Sequence, residues 1–475
     1  MRSRAAWTCL LCLVAPALLV SGEVPAIAAP VPVRTVAPPM IDPGALGAAQ
    51  ALSGRPGPPD PTEPERLCAK PFLQVPAPRD PVVAQQVLNL PAAWQFSRGA
   101  GVKVAVIDTG VNPHPRLPPV QPGGDYVQAG GDGLADCDGH GTFVAGIIAA
   151  RPGPDDAFSG VAPDADILSI RQSSTAFQAK NRGGNGQPGT VDDDGYGNVL
   201  TMAAAVVRAV DMGAKVINIS QVACSPAGSD TADGALGAAV KYAYDSGTVV
   251  VAAAGNAGGD GRCKQQNDVA GWDGVATIAS PAWFGPYVLS VASVAQDGSP
   301  SSFTLHGPWV SVAAVGEGVI SLDNTPGATG LVNALPDNDG KPQLYAGTSF
   351  AAPYVSGLAA LIRARFPELS AQQVMDRITR TAHAPGPGRD DRVGAGLIDP
   401  LAALTAQLPD QPPSAGVDQP HAVAPPAQLA GPPRLPRVVA TIGTIGCLAA
   451  LGIGLLIAIP YRRRRIGDEL PDFDS

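Results

Sequence analysis

Three short apolar runs rich in β-branched residues stand out in the middle of the chain: Val102 to Ile107 (VKVAVI), Lys215 to Ser220 (KVINIS) and Thr248 to Ala253 (TVVVAA). Each predicts a buried strand. Helical patterns precede the second and third, at Leu200–Asp211 and Ala235–Ser246, and each closes on a glycine, Gly213 or Gly247, as helix C-termini often do. Strand, helix, strand, helix in this rhythm predicts an α/β fold with a central, mostly parallel sheet flanked by helices on both faces.

Two further apolar stretches lie outside that rhythm. Ala5–Val20 follows the basic start Met1-Arg2-Ser3-Arg4 and leads to the small-x-small pattern Ala26-Ile27-Ala28, so residues 1–28 are expected to be a secretory signal peptide. Residues 438–459 run 22 positions without a charge. That is about 33 Å as a helix, enough for one C-terminal transmembrane helix and long for a core helix. Arg462 to Arg465 follow at once, which places the tail, 460–475, in the cytoplasm and the body outside it.

Proline divides the rest. Residues 30–64 hold ten prolines and 406–437 hold nine, so neither stretch is expected to form a packed regular element. The expected order is a Pro-rich N-terminal extension (29–85), a central body (86–405) and a Pro-rich linker (406–437). Within the body, 172–198 is rich in Gly, Asn and Asp and reads as a long loop. Its Asp192, Asp193 and Asp194 lack the further oxygen ligands of a calcium loop, so a solvated loop is preferred and no metal or cofactor is expected.

The 475-residue chain has a net charge of -9, and its only dense basic run flanks the membrane stretch, which argues against a nucleic-acid surface. Of seven cysteines, Cys9 and Cys12 fall in the signal peptide and Cys447 in the apolar C-terminal stretch. Cys68, Cys137, Cys224 and Cys263 remain, an even number in an oxidising compartment, compatible with two disulfides in any of three pairings.

Candidate chemistry sits in four separated places. The first strand runs into Asp108-Thr109-Gly110, which puts a carboxylate at the C-terminal edge of a parallel sheet. His140 opens an apolar helix within Asp138-Gly139-His140-Gly141-Thr142, where flanking glycines let other backbone approach the ring. Ser349, in Gly347-Thr348-Ser349-Phe350-Ala351-Ala352-Pro353, starts a helix, with Pro353 taken as part of its first turn. A lone serine there is most simply an N-cap. As a nucleophile it gains from the positive helix end but needs a base, which His140 supplies and Asp108 orients. Asn256, beside glycines after the third strand, offers an amide to an oxyanion.

Together these motifs resemble the subtilases, subtilisin-like serine proteases, over about residues 86–405, and the order Asp, His, Ser is that of subtilisin. The layout of the whole chain resembles that of the mycosins, membrane-anchored proteases of actinobacterial type VII secretion systems. The resemblance implies a three-layer subtilisin-like fold, a triad of Asp108, His140 and Ser349, and Asn256 as oxyanion donor. It further implies Cys68–Cys137 and Cys224–Cys263 disulfides that clamp the N-terminal arm to the body, protein or peptide substrates, and partners in the secretion membrane complex. Phe143 and Tyr354 stand where secreted subtilases commonly have histidines, and Phe350 where methionine is usual. Ser220-Gln221-Val222-Ala223 replaces a Ser-Leu-Gly-Gly edge, which makes broad degradation a poor expectation. A structural subunit of the secretion complex is the competing function. An esterase of the α/β-hydrolase type ranks below both, because its serine would precede acid and histidine.

Overall fold

The computed structural model describes residues 36–180, 189–191, 195–258, 263–337, 339–386, 388–408, 448–450 and 452–454. The expected signal peptide, most of the Pro-rich linker and the basic tail lie outside them. So do Asp192–Asp194.

The three apolar runs are all strands of one sheet, joined by four more. In chain order the strands are β1 (Lys103–Asp108), β2 (Gln121–Asp125), β3 (Asp166–Arg171), β4 (Val216–Ile219), β5 (Val249–Ala253), β6 (Val288–Val294) and β7 (Val310–Val315). They lie side by side as β7-β6-β5-β4-β1-β3-β2, and every pairing is parallel. Burial on both faces explains why the β4 and β5 sequences are continuously apolar apart from Asn218. Strand order reverses at β1, so the loops leaving its C-terminal end open into a crevice. Asp108 is the last residue of β1.

In the N-terminal extension, Leu46–Ser53 forms helix α1. The core helices are α2 (His140–Ala149), α3 (Val199–Asp211), α4 (Gly234–Asp245), α5 (Thr348–Arg365) and α6 (Ala371–Thr381). α2 and α5 pack together beneath the sheet, and α3 and α4 pack together on its other face. The glycine stops are as expected: Gly213 and Gly247 take φ of 81° and 77° just past α3 and α4. α3 also starts on a capping box, with the Asn198 side chain accepting from the Leu200 and Thr201 backbone N–H groups.

α1 corrects the expectation that the extension forms no packed element. The ten prolines of 30–64 are clustered at either end and leave 44–55 free of proline, long enough for two turns. Ala49 is fully buried, and α1 packs across α3 and α4. The extension then adds Thr62–Pro64 antiparallel to Phe177–Ala179, so part of the 172–198 stretch is a short strand instead of loop. Cys68 continues to a disulfide with Cys137.

The second disulfide, Cys224–Cys263, lies wholly within the body. It joins the segment after β4 to the loop after β5, so only the first bond clamps the extension. Residues 407–475 form a second unit. Among the described residues no helix is long and apolar enough to cross a membrane, and of 438–459 only 448–450 and 452–454 are described, as helix.

Candidate active site

Asp108 is completely buried at the end of β1, and its Oδ1 lies 2.7 Å from His140 Nδ1. The same oxygen accepts the Thr109 backbone N–H at 2.8 Å. A carboxylate only accepts, so the proton of this contact sits on Nδ1 and Nε2 is left as the basic nitrogen of the neutral ring. The ring is held at the first residue of α2. Gly141 makes the approach of the two segments possible, since a Cβ there would lie 1.9 Å from the Gly110 carbonyl oxygen and 3.2 Å from Asp108 Cβ. Gly139, with φ of 80°, supplies the left-handed turn that starts the helix.

Ser349 is the second residue of α5, which begins at Thr348, one residue before the expected start. The first backbone N–H groups of a helix have no acceptor within it and carry its positive end. Pro353 lies at the sixth position, beyond the first turn where it was expected. A proline there lacks the N–H that would bond the carbonyl of residue 349. That carbonyl accepts the Ser220 hydroxyl instead, at 2.7 Å. Ser220 accepts from the Asn218 amide at 2.9 Å, and Asn218 Oδ1 accepts the Ser356 hydroxyl at 2.8 Å. A buried polar chain thus ties the end of β4 to the segment carrying Ser349.

Asn256 follows β5 and faces the same point. Its Oδ1 accepts both the backbone N–H and the hydroxyl of Thr348, each at 3.0 Å. With the oxygen so occupied, the amide nitrogen faces the serine. A Cβ on Gly347 would stand 3.0 Å from Ser349 Oγ and 3.4 Å from Asn256 Nδ2, so glycine keeps open the space that both atoms address. His140, Ser349 and Asn256 line one cleft of about 290 Å³, together with Thr109, Ser220, Gln221 and Val222. The Ser173 hydroxyl donates to Gln221 Oε1 at 2.6 Å, joining the loops after β3 and β4. The Cys224–Cys263 bond braces the loop of Asn256, whose Gly258 N–H donates to the Cys263 carbonyl at 3.1 Å.

Two of the three aromatic departures, Phe143 and Phe350, meet in one cluster. The His140 and Phe350 ring centroids are 5.1 Å apart, and Phe350 packs on Phe143 and Tyr345 at 5.0 and 5.3 Å. Tyr354 is buried one turn further along α5, and burial pushes its phenol upward. Of the four anticipated residues, His140, Ser349 and Asn256 therefore line one cleft and Asp108 is buried in contact with His140; both anticipated disulfides are present. Thr348, which orients Asn256, and Asp136, a buried carboxylate behind His140, were not anticipated. Thr348 adjoins the serine but reads as a generic helix start. Asp136 carries only the weak signal of an acid four residues ahead of the histidine. Among the described residues no group of His, Cys, Asp and Glu is arranged to hold a metal ion.

The description "Subtilase family" matches residues 99–396. Mycosin-1 of Mycobacterium tuberculosis is 46% identical over 448 residues, covering 91% of this chain and 96% of that protein. Mycosin-4 of the same organism is 47% identical, covering 91% and 93%. A crystal structure of MycP1 from Mycobacterium smegmatis superposes with a TM-score of 0.72 at 46% identity, over 79% of this chain and 97% of that one. A chain in the structure of an intact ESX-5 inner membrane complex gives 0.72 at 43% identity, over 89% and 100%. With that fold, that cleft and these relatives, the chain belongs to the subtilase family of serine proteases and, within it, to the mycosins.

Proposed function

We propose that the protein is a membrane-anchored serine endopeptidase of a type VII secretion system, and that Asp108, His140 and Ser349 are its catalytic triad. The observation that carries the assignment is the meeting of a buried Asp108–His140 hydrogen bond, the helix-start Ser349 and the oriented amide of Asn256 in one cleft. Ser349 Oγ attacks the scissile carbonyl as His140 Nε2 takes its proton. Asp108 holds the tautomer and stabilises the imidazolium, and the proton then passes to the leaving amine. Asn256 Nδ2 and the Ser349 backbone N–H stabilise the oxyanion. Water repeats the sequence on the acyl-enzyme and releases the second product.

Expected substrates are few and exported. Val222 and Ala223 support this, because they stand where many subtilases have the glycines of a substrate-pairing edge, and Val222 lines the cleft. Secretion and localisation rest on the relatives, one of which is part of an inner membrane complex. The apolar 438–459 stretch supports an anchor with the body outside the cytoplasmic membrane and the tail inside. The processing pattern at 26–28 supports removal of residues 1–28.

A second role, as a subunit that stabilises the secretion complex, is favoured by that same membrane-complex relative. One experiment separates them: a strain lacking the gene is complemented with wild type or Ser349→Ala. The protease reading predicts that the variant restores complex assembly and leaves exported substrates uncleaved. Normal substrate cleavage with the variant would contradict it.

A further inference from the structure

Asp136 is fully buried four residues before His140, and both its oxygens are saturated by donors from the two segments that bear Asp108 and His140. Oδ1 accepts the Thr109 hydroxyl at 2.9 Å and the Gly139 backbone N–H at 2.8 Å. Oδ2 accepts the Thr142 backbone N–H at 2.8 Å and the Thr142 hydroxyl at 2.6 Å. Thr109 closes the circuit, since its hydroxyl also accepts the Gly141 N–H at 2.9 Å while its own N–H donates to Asp108. Gly139, Gly141 and Thr142 surround His140 at the start of α2. The Asp136 main chain is fixed in turn by Asn112, whose Oδ1 accepts the Asp136 N–H at 2.8 Å and whose amide donates to the Asp136 carbonyl at 3.2 Å.

We propose that Asp136 is a positioning residue for the reaction: its carboxylate ties the end of β1 to the first turn of α2 and so sets the Asp108–His140 hydrogen bond. Four donors converge on it, and only an ionised carboxylate accepts from all four without offering a proton of its own. The inference rests on the triad assignment above. Burial pushes the Asp136 carboxyl up to about 6, with Asp138 adding to the rise and the Thr142 and Thr109 bonds opposing it. The other groups facing it are the Asp108–His140 pair and Tyr345, whose phenol burial holds in the neutral form.

The sign of the pH effect separates positioning from scaffolding. As pH falls through about 6, Asp136 gains a proton and its donors lose an acceptor. Between about 6 and its ordinary 3.8, the native state holds that proton more tightly than the unfolded chain, so this group adds stability as pH falls. Activity and stability therefore part company: acylation declines in a range where Asp136 does not promote unfolding.

The test uses the full-length protein in detergent, wild type beside Asp136→Asn. Two quantities are read: the far-downfield proton resonance of the Asp108–His140 hydrogen bond, and the pH profile of phosphonylation of Ser349 by a fluorophosphonate. Asparagine turns one acceptor into a donor facing other donors. The expected result is loss of the resonance, phosphonylation slower by about tenfold or more, and a shallower acid limb that reflects the general base alone. An unchanged resonance with a wild-type rate and profile overturns the proposal. If Asp136→Asn does not fold, Thr142→Ala deletes one of the four bonds, and the same unchanged readings are again decisive. Should wild type show the resonance yet fail to be phosphonylated, it is the role of Ser349 that falls, while the effect on the resonance still judges Asp136.

Discussion

The side chains in the cleft have their roles fixed by what occupies their other atoms. Asn256 could present either face of its amide, and Thr348 decides the matter by donating twice to the oxygen. The amide nitrogen is then free for a developing oxyanion, a contribution worth about 2.7–4 kcal/mol where such a donor has been removed. Asn256→Ala is therefore expected to lower kcat by about a hundredfold to a thousandfold with little change in KM, measured by steady-state hydrolysis of a peptide substrate. A loss confined to KM would mean that the amide binds ground-state substrate instead. The four proposed functional residues were legible in the sequence because each lies within two residues of a glycine at a strand or helix end, a pattern visible without coordinates. Thr348 and Asp136 were not, since what distinguishes them is a hydrogen-bond partner distant in sequence or hidden behind the backbone, and a threonine or aspartate in such a place is common for many other reasons.

At the scale of elements, the site depends on how α5 is started and on what its proline leaves undone. Pro353 removes the N–H that would have bonded the Ser349 carbonyl, and Ser220, at the end of β4, supplies the replacement. Leaving that carbonyl without a partner costs about 1–3 kcal/mol. Ser220→Ala is expected to destabilise the protein by an amount in that range, and Pro353→Ala in the same chain to recover part of the loss by restoring the helical N–H. Thermal or denaturant unfolding of the two single variants and the double variant measures the coupling. Strictly additive effects would show that the two groups do not serve the same carbonyl. The apolar runs and glycine stops revealed β1, β4, β5, α3 and α4 to within a residue or two. α1 was hidden because its proline-free turns are bracketed by prolines, and a count over the whole stretch averages the two. The position of Pro353 was misjudged for a related reason: helix starts are read from sequence only to within a turn, and one turn decides which carbonyl loses its donor.

Across the whole molecule, the N-terminal extension is built into the body by helix packing, strand pairing and a disulfide. α1 packs on α3 and α4, Thr62–Pro64 adds a strand, and Cys68 is bonded to Cys137, between Asp136 and Asp138. The Cys68–Cys137 bond closes a separation of 69 residues. By chain-entropy reasoning such a closure stabilises the fold by about 4 kcal/mol. Cys68→Ser is expected to lower the unfolding free energy by a comparable amount and to expose the extension to added protease, followed by calorimetry and limited proteolysis. An unchanged unfolding midpoint would mean that α1 and the added strand hold the extension by themselves.

The central claim, that Ser349 is a nucleophile activated by His140, is tested most directly by labelling the full-length protein with a fluorophosphonate and locating the adduct by mass spectrometry. Wild type is predicted to carry one adduct, on Ser349, with none on Ser349→Ala and almost none on His140→Ala. An adduct on another residue, or labelling of Ser349→Ala equal to wild type, would contradict the account.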